Sequence, residues 1–177
     1  MATAKKDSSK SENPKKSSAG SSPQDAIALL TRDHKEVKEL FEAYESLEEG
    51  DDEGKLDLAR NICMMLTVHA TIEEKIFYPA AREMLAERDL LDEAEVEHAS
   101  AKDLIAQIED SDPGDSLFDA KVKVLSEYIE HHVKEEEGEM FPALKKAGMD
   151  TATLGEDMSN RKEELMEEMD DAAEARD

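Results

Sequence analysis

The segment HATIEEKIFYP at residues 69–79 returns in outline as HVKEEEGEMFP at residues 132–142. Each segment opens with a histidine, has glutamates four and five positions later, and has an aromatic residue and a proline nine and ten positions later. Residues four apart share one face of an α-helix, so each histidine and its first glutamate face the same way. The repeat therefore predicts two helices that each present a histidine–glutamate pair.

A second shared segment precedes each of these helices. DHKEVKEL starts at Asp33, and EHASAKDL starts at Glu97. In both, an acidic residue stands before the histidine, and lysine, an acidic residue and leucine follow at the same offsets. Each half of the chain thus reads as a helix with one histidine, a loop, and a helix with the repeated segment. This order predicts a duplicated pair of helical hairpins, because short loops make neighbouring helices antiparallel.

The composition favours helices along the whole chain. The 177 residues fit one domain, 38% are charged, 4% are aromatic, and there are only seven Gly and five Pro. Apolar residues recur at steps of three and four in four segments, and each apolar stripe contains a histidine. We predict an all-α fold, an up-down-up-down antiparallel four-helix bundle. The helices are expected from Pro23, after a cap at Ser22, to about residue 49; from Lys55 to beyond Tyr78, with a bend or end at Pro79; from Leu90 to Asp110; and from about Phe118 to the region of Pro142 and Gly148.

The chain divides into three regions by composition. Residues 1–22 contain five Lys, two acidic residues and many Ser, and they are predicted to form a disordered tail because they have too few apolar side chains to fold. Residues 23–148 are expected to form the bundle. Residues 149–177 are predicted to be an acidic helical extension whose thin apolar stripe either packs on the bundle or frays.

The net charge and the cysteine content limit the kinds of partner that the protein is expected to bind and the cell compartment in which it is expected. The net charge of −24 argues against nucleic acid and anionic membranes, because binding phosphates requires a basic surface. Cys63 is the only cysteine, so no disulfide can form within the chain, and a free buried thiol is the expected state. The sequence has neither an apolar run of membrane-spanning length nor an apolar N-terminal stretch. We therefore predict a cytoplasmic protein.

The four stripe histidines are spaced so that they meet in pairs. Residues equidistant from the loop of an antiparallel hairpin lie at the same height, and the midpoint of His34 and His69 is 51.5, inside GDDEG. The midpoint of His98 and His132 is 115, inside SDPGDS. The first glutamate of each repeated segment lies one turn from its histidine on the same inward face. The candidate metal ligands are His34, His69, Glu73, His98, His132 and Glu136.

Buried carboxylates on these stripes need a partner. A carboxylate in a core is costly unless it is paired or binds a metal, and the stripes offer no Lys or Arg. Two glutamates that bridge two metal ions, with two histidines on each ion, would remove this cost. Imidazole and carboxylate ligands suit iron, manganese or zinc. The alternative is a polar network in the core without a metal.

These residues resemble a known family. His34, His69-x3-Glu73, His98 and His132-x3-Glu136, with EEKIFYP and EEGEMFP after the histidine segments, are similar to the hemerythrin-like HHE cation-binding domains. The resemblance covers about residues 23–146. It implies a four-helix bundle with two iron ions in a non-haem di-iron centre, oxo- or hydroxo-bridged, with both glutamates bridging. It also implies that the aromatic–proline pairs shape the helix ends below the site.

One departure from the family pattern affects the expected activity. The oxygen-carrying members have a second histidine four residues from the one on the third helix, whereas Ala94 and Lys102 stand four residues from His98 here. An additional coordination position would then be open or filled by water. We therefore expect reactivity with an oxidant rather than efficient oxygen carriage.

Several other residues are possible participants. His131 is expected to flank the site, with a swing into the coordination sphere as the less favoured alternative. Glu74 and Glu137 are expected on a solvated face, with terminal ligation as the alternative. Core packing is expected for the tyrosines, although a hydrogen bond to bound oxygen or a role with radicals is left open. The tyrosines in question are Tyr44, Tyr78 and Tyr128.

The resemblance implies a protein that binds dioxygen or a related small oxidant. It also implies a role related to oxygen, to iron, or to oxidative or nitrosative stress. Weak oxidase, peroxidase or catalase-like activity is left open. The alternative is a non-catalytic iron or oxygen sensor, or a partner-binding helical module, in which metal and oxygen only set stability.

Overall fold

The computed structural model describes residues 25–86 and 88–174, and all regular secondary structure in these ranges is helical. This confirms the predicted all-α class. The predicted tail at 1–22, the cap at Ser22 and the first-turn Pro23 lie outside the described residues. No helix in the described ranges is long and apolar enough to cross a membrane. The helices are α1 (Ala26–Glu45), α2 (Asp52–Ile72), α3 (Tyr78–Met84), α4 (Asp89–Glu109), α5 (Phe118–Glu135), α6 (Phe141–Ala147) and α7 (Thr151–Glu174).

Helix α1 begins after an N-cap at Asp25. Asp25 has an extended backbone and is the N-cap, because its carboxylate accepts a hydrogen bond from the N–H of Ala28 at 3.1 Å. The hydroxyl of Thr151 donates to the same carboxylate. The start of α1 is thereby tied to the start of α7.

A π-helical turn interrupts the helix in each half of the chain. Glu73–Phe77 joins α2 to α3, and Glu136–Met140 joins α5 to α6. Pro79 was expected to bend or end its helix; the helix widens ahead of the proline and does not end there, because it continues as α3. A proline lacks an N–H and its ring collides with the carbonyl four residues back, and a wider turn relieves that conflict. Each turn begins at one of the two candidate glutamates.

The core consists of two apolar clusters with a polar layer between them. On α1, Leu29 and Leu30 belong to one cluster, Val37 and Phe41 belong to the other, and His34 lies between them. The candidate histidines of α2, α4 and α5 likewise separate the two clusters along their helices. Helix α1 packs along α2, and α4 packs along α5. The up-down-up-down order of four helices stays a prediction.

Helix α7 packs against the first half of the duplicated structure. It contacts α1, α2 and the first π turn. Its Met158 is fully buried in the cluster that contains Leu29, and Leu154 and Leu165 pack against that cluster. The apolar stripe of this segment is therefore used for packing, and α7 covers one side of the polar layer.

Candidate metal centre

All six candidate ligands lie in the polar layer, and the structure brings them together. None of these residues is more than 8% exposed, and both glutamates are at most 1% exposed. The ligand atoms form two groups whose members lie within 4.8 Å of one another. One group contains His34, His69, Glu73 and Glu136, and the other contains Glu73, His98 and His132.

The histidines of each hairpin face one another at the same level. The ring centroids of His34 and His69 are 4.9 Å apart, and those of His98 and His132 are 4.7 Å apart. In the second pair the two Nε2 atoms lie 3.2 Å apart. The pairing therefore agrees with the equal distances of these residues from their loops.

Each glutamate contacts one histidine from each hairpin. Glu73 Oε2 lies 3.2 Å from His69 Nε2 and 3.3 Å from His98 Nε2. Glu136 Oε2 lies 3.3 Å from His34 Nε2 and 3.6 Å from His132 Nε2. Ligand atoms held about 2.1 Å from one ion at angles between octahedral and tetrahedral are separated by about 3.0 to 3.4 Å. The two carboxylates are therefore placed where each could span two ions.

Several polar atoms of this layer are buried without a hydrogen bond to the described residues. They include one oxygen of each glutamate and the Nε2 atoms of both histidines in the first hairpin. Buried polar atoms of this kind are rare because each costs free energy unless something satisfies it. A cation would satisfy nitrogen lone pairs and carboxylate oxygens together, so the donor set fits a metal. The atoms in question are His34 Nε2, His69 Nδ1, His69 Nε2, Glu73 Oε1 and Glu136 Oε2.

Four further carboxylates face the outward nitrogens of the histidines; three of them are at hydrogen-bond distance, and Asp33 lies slightly farther from His69. In two cases the acidic residue just before a histidine faces the other histidine of its own hairpin. In the other two cases the second glutamate of a repeated segment reaches a histidine of the opposite hairpin. A carboxylate at Nδ1 orients the ring and directs Nε2 inward. The Nδ1-to-oxygen distances are 3.6 Å for His69–Asp33, 2.8 Å for His132–Glu97, 3.0 Å for His98–Glu74 and 2.8 Å for His34–Glu137.

The expectations for two flanking residues hold only in part. Glu74 and Glu137 were expected on a solvated face; the side chain of Glu137 is indeed 41% exposed, whereas that of Glu74 is only 25% exposed. Both also contact candidate histidines, which was not expected, and Glu74 accepts hydrogen bonds from Lys102 Nζ at 2.6 Å. They were not recognised because the position after an inward glutamate points about 100° away on its own helix. The acidic residue before His34 and His98 was visible in the repeat, and it was the available signal for Asp33 and Glu97.

The three tyrosines have different surroundings. The hydroxyl of Tyr78 donates to Glu136 Oε1 at 2.9 Å and lies 3.2 Å from His98 Nε2, so this tyrosine faces the candidate centre. Tyr44 is buried in the apolar core and donates to Asp119 at 2.7 Å. Tyr128 was expected in the core, but it is 47% exposed. At the position equivalent to Tyr78 in the second half, Phe141 stacks on His34 at a centroid distance of 6.0 Å.

The charges of the layer stabilise one another in the absence of a metal ion. Burial disfavours protonation of His69, but the carboxylates of Glu73 and Asp33 outweigh it and raise the pKa of His69 to about 10. Burial likewise opposes ionisation of Glu73, yet His69 and His98 hold the pKa of Glu73 well below its usual value. Burial and the two candidate glutamates raise the pKa of Tyr78, which keeps its hydroxyl protonated. A cation bound between these carboxylates would supply the positive charge that a proton on His69 otherwise provides.

A cavity borders the four candidate histidines on the side of the apolar cluster that contains Val37 and Phe41. Its volume is about 190 Å³, and all four candidate histidines line it. Apolar side chains form most of its wall, and Lys162 and Met166 of α7 lie at one side. A dry cavity of about 150 Å³ is large enough for benzene. Small apolar molecules therefore have room beside the candidate centre. The apolar part of the wall includes Val37, Leu66, Ala101, Ile105 and Ile129.

A helical protein with a buried layer of four histidines and two glutamates belongs to the class of helical metal-binding proteins. Comparison with known families makes this assignment specific. The chain belongs to the family described as Hemerythrin HHE cation binding domain, whose profile it matches over residues 25–144. The resemblance seen in the sequence is thereby confirmed.

Two known proteins are similar to this chain. The chain is 31% identical over 118 residues to a DNA nickase of Nostoc sp. (strain PCC 7120 / SAG 25.82 / UTEX 2576), and the match covers 66% of this chain but only 32% of that protein. The chain thus spans about a third of the length of this curated relative. Its fold is similar to the crystal structure of a hemerythrin HHE cation binding domain-containing protein from Mycobacterium kansasii, with a TM-score of 0.68 and 23% sequence identity. That likeness covers 80% of this chain and 87% of the other.

Proposed function

We propose that this protein binds two iron ions in a non-haem di-iron centre and there binds dioxygen or a related small oxidant. The ligands are the six residues of the buried layer, which we assign to an up-down-up-down four-helix bundle formed by residues 23–148. The observation that carries the proposal is the contact of each buried glutamate with one histidine from each hairpin. The ligands are His34, His69, Glu73, His98, His132 and Glu136.

The protein's own side chains would prepare the site for the ions. The Nε2 atoms of the four histidines converge from both hairpins. Carboxylates hold three of the rings by hydrogen bonds at Nδ1, and Asp33 faces Nδ1 of the fourth, His69, at 3.6 Å. These outer carboxylates also raise the basicity of the rings, which strengthens metal binding. Tyr78 keeps its proton at the hydroxyl oxygen beside Glu136 Oε1 and can donate a hydrogen bond within the site.

When bound, two iron ions supply two redox centres and coordination positions for a small oxidant. The apolar wall of the cavity favours small neutral molecules over hydrated ions. Ala94 is buried and supplies no ligand, and Lys102 is engaged with Glu74. With neither position contributing a further nitrogen, we propose that the centre reacts slowly with oxidants and is not an efficient carrier.

The activity of the Nostoc relative is not assigned to this chain. The similarity covers only 32% of that DNA nickase. A chain with a net charge of −24 also repels the DNA backbone. We propose that this protein acts without nucleic acid, in the cytoplasm.

Metal analysis tests the centre directly. Protein purified from iron-replete cells should contain two iron ions per chain, as a di-iron centre requires. His69→Ala and Glu136→Ala should each reduce that content, whereas Glu130→Gln, at an exposed position of α5, should not. Unchanged iron in both ligand variants would refute the assignment.

Oxygen cycling tests the activity. The iron-loaded protein is reduced without oxygen, oxygen is admitted, and the visible spectrum is followed while the gas is removed and returned. We expect a spectral change that does not reverse when oxygen is removed. A change that reverses fully through repeated cycles would identify a carrier and contradict the proposed reactivity.

A further inference from the structure

A third group of possible metal ligands lies at the surface beside the candidate centre. Glu97 of α4 and His131 and Glu135 of α5 have ligand atoms within 4.8 Å of one another. His131 Nε2 lies 3.2 Å from Glu135 Oε1 and 3.5 Å from Glu97 Oε1. The side chain of His131 is 64% exposed, and those of the two glutamates are 25% and 29% exposed. This outer cluster is therefore accessible to ions from solvent.

The geometry of the outer cluster suits a divalent transition-metal ion. His131 and Glu135 are four residues apart, which places both on one face of α5, and Glu97 meets them from the neighbouring helix. The two distances from His131 Nε2 are close to the separations of about 3.0 to 3.4 Å expected between ligands of one ion. One imidazole and two carboxylates are suitable ligands for Fe²⁺, Mn²⁺ or Zn²⁺.

The two halves of the chain differ at the positions of this outer cluster. The positions equivalent to His131 and Glu135 in the first half are Val68 and Ile72, and both are buried. The position equivalent to Glu97 is Asp33, where Lys162 of α7 supplies a cationic group at 2.6 Å. In the first half, two of these positions are thus buried and the charge of Asp33 is balanced by Lys162. In the second half, the equivalent positions present possible metal ligands to solvent.

Glu97 connects the outer cluster to the inner layer. Its Oε1 faces His131, while its Oε2 accepts from Nδ1 of the buried His132 at 2.8 Å. A cation that draws Glu97 outward would weaken this hydrogen bond and loosen the ring of His132. We propose that Glu97, His131 and Glu135 form an outer site for a divalent transition-metal cation, from which iron is loaded into the inner centre. The loading role rests on the proposed function, whereas binding at the outer site does not.

Manganese provides a direct probe of the outer site. Iron content is measured first, and the iron-loaded protein is then titrated with Mn²⁺ while the free ion is followed by electron paramagnetic resonance. We expect one Mn²⁺ ion per chain, with affinity reduced about tenfold or more in His131→Val, which introduces the residue of the first half. Glu130→Gln removes one negative charge from an exposed position of the same helix and should leave Mn²⁺ binding unchanged.

The loading role is tested by the rate at which metal-free protein takes up Fe²⁺. His131→Val should slow uptake while the final iron content and the helical circular dichroism remain those of the wild type. Absence of Mn²⁺ binding, or equal binding by His131→Val, would overturn the outer site. Wild-type uptake rates in His131→Val would overturn its role in loading. A failure of the proposed function is recognised separately, since the iron content of the wild type would then fall short of two before any Mn²⁺ is added.

Discussion

Lys162 Nζ lies 2.6 Å from Asp33 Oδ1, and the other carboxylate oxygen of Asp33 lies 3.6 Å from His69 Nδ1. Helix α7 thus contacts the candidate centre through a chain of three side chains. Asp33 is only 4% exposed, and burial alone would raise its pKa, but His69 and Lys162 together lower it. The lysine therefore helps to keep this carboxylate ionised at the outward nitrogen of a candidate ligand.

Removal of this lysine should weaken metal binding. In Lys162→Met, Asp33 loses its cationic partner and holds His69 less firmly, so the affinity for iron should fall about tenfold. Lys146→Met removes the same charge from an exposed position of α6 and serves as the control. Competition with a calibrated chelator measures both. Equal affinities for the two variants and the wild type would show that α7 does not support the centre.

The hydroxyl of Tyr78 should contribute to stability beyond the packing of its ring. Tyr78→Phe leaves Glu136 Oε1 without this donor in a buried layer, and we expect the metal-free protein to lose about 1 to 3 kcal/mol of unfolding free energy. Tyr128→Phe alters an exposed tyrosine and should change stability little. Urea unfolding followed by circular dichroism provides the comparison. If Tyr78→Phe were as stable as the wild type, this hydrogen bond would make no net contribution to the unfolding free energy.

Metal removal should destabilise the fold because the buried layer lies between the two apolar clusters. An ion that binds only the folded state adds about 2.7 kcal/mol when its free concentration is a hundred times its dissociation constant. Chelation should therefore lower the urea midpoint of the wild type, and a smaller effect is expected in Glu136→Ala. Identical urea midpoints with and without chelator would show that metal binding does not stabilise the fold. Complete loss of helical signal on chelation would instead favour a sensor whose fold depends on its metal.

The metal-free protein should be less stable in alkaline solution. The folded protein raises the pKa of His69 from 6.5 to about 10, because the carboxylates of Glu73 and Asp33 outweigh burial. Its protonation therefore contributes fully below pH 6.5, and this contribution declines as pH rises toward 10. Urea unfolding of chelated protein at several pH values measures the decline, which should be smaller in His69→Gln. A wild-type stability that rises between pH 7 and 9.5 would contradict this assignment.

Cys63 should be inert in the native protein. Its side chain is 1% exposed, and burial, with a smaller effect of Glu109, raises the pKa of its thiol to about 12. Thiolate is the reactive form, so thiol reagents should label Cys63 at neutral pH only when the chain unfolds. Labelling rates measured across a urea series should follow the unfolded fraction. Rapid labelling in the absence of urea would show that this part of α2 opens locally.

The sequence by itself determined the helical class, the duplication and the inward face of each helix. A periodicity of three and four residues defines the buried stripe of a helix, and the distance of each histidine from its loop defines its height. The pairing of His34 with His69, and of His98 with His132, followed from these local rules. So did the placement of Glu73, one turn after a histidine.

Only the tertiary structure decided which side chains surround the six inward residues. Apart from the repeated acidic residue before His34 and His98, the 46 acidic residues carry no sequence signal that selects the partner of a given histidine, because that choice depends on how separate helices pack. Glu137 reaches His34 across 103 residues, and Lys162 reaches Asp33 across 129. The π turns ahead of Pro79 and Pro142 arise in the same way, since a helix can either break or widen at a proline. Packing of both continuing helices into the core favours widening over breaking.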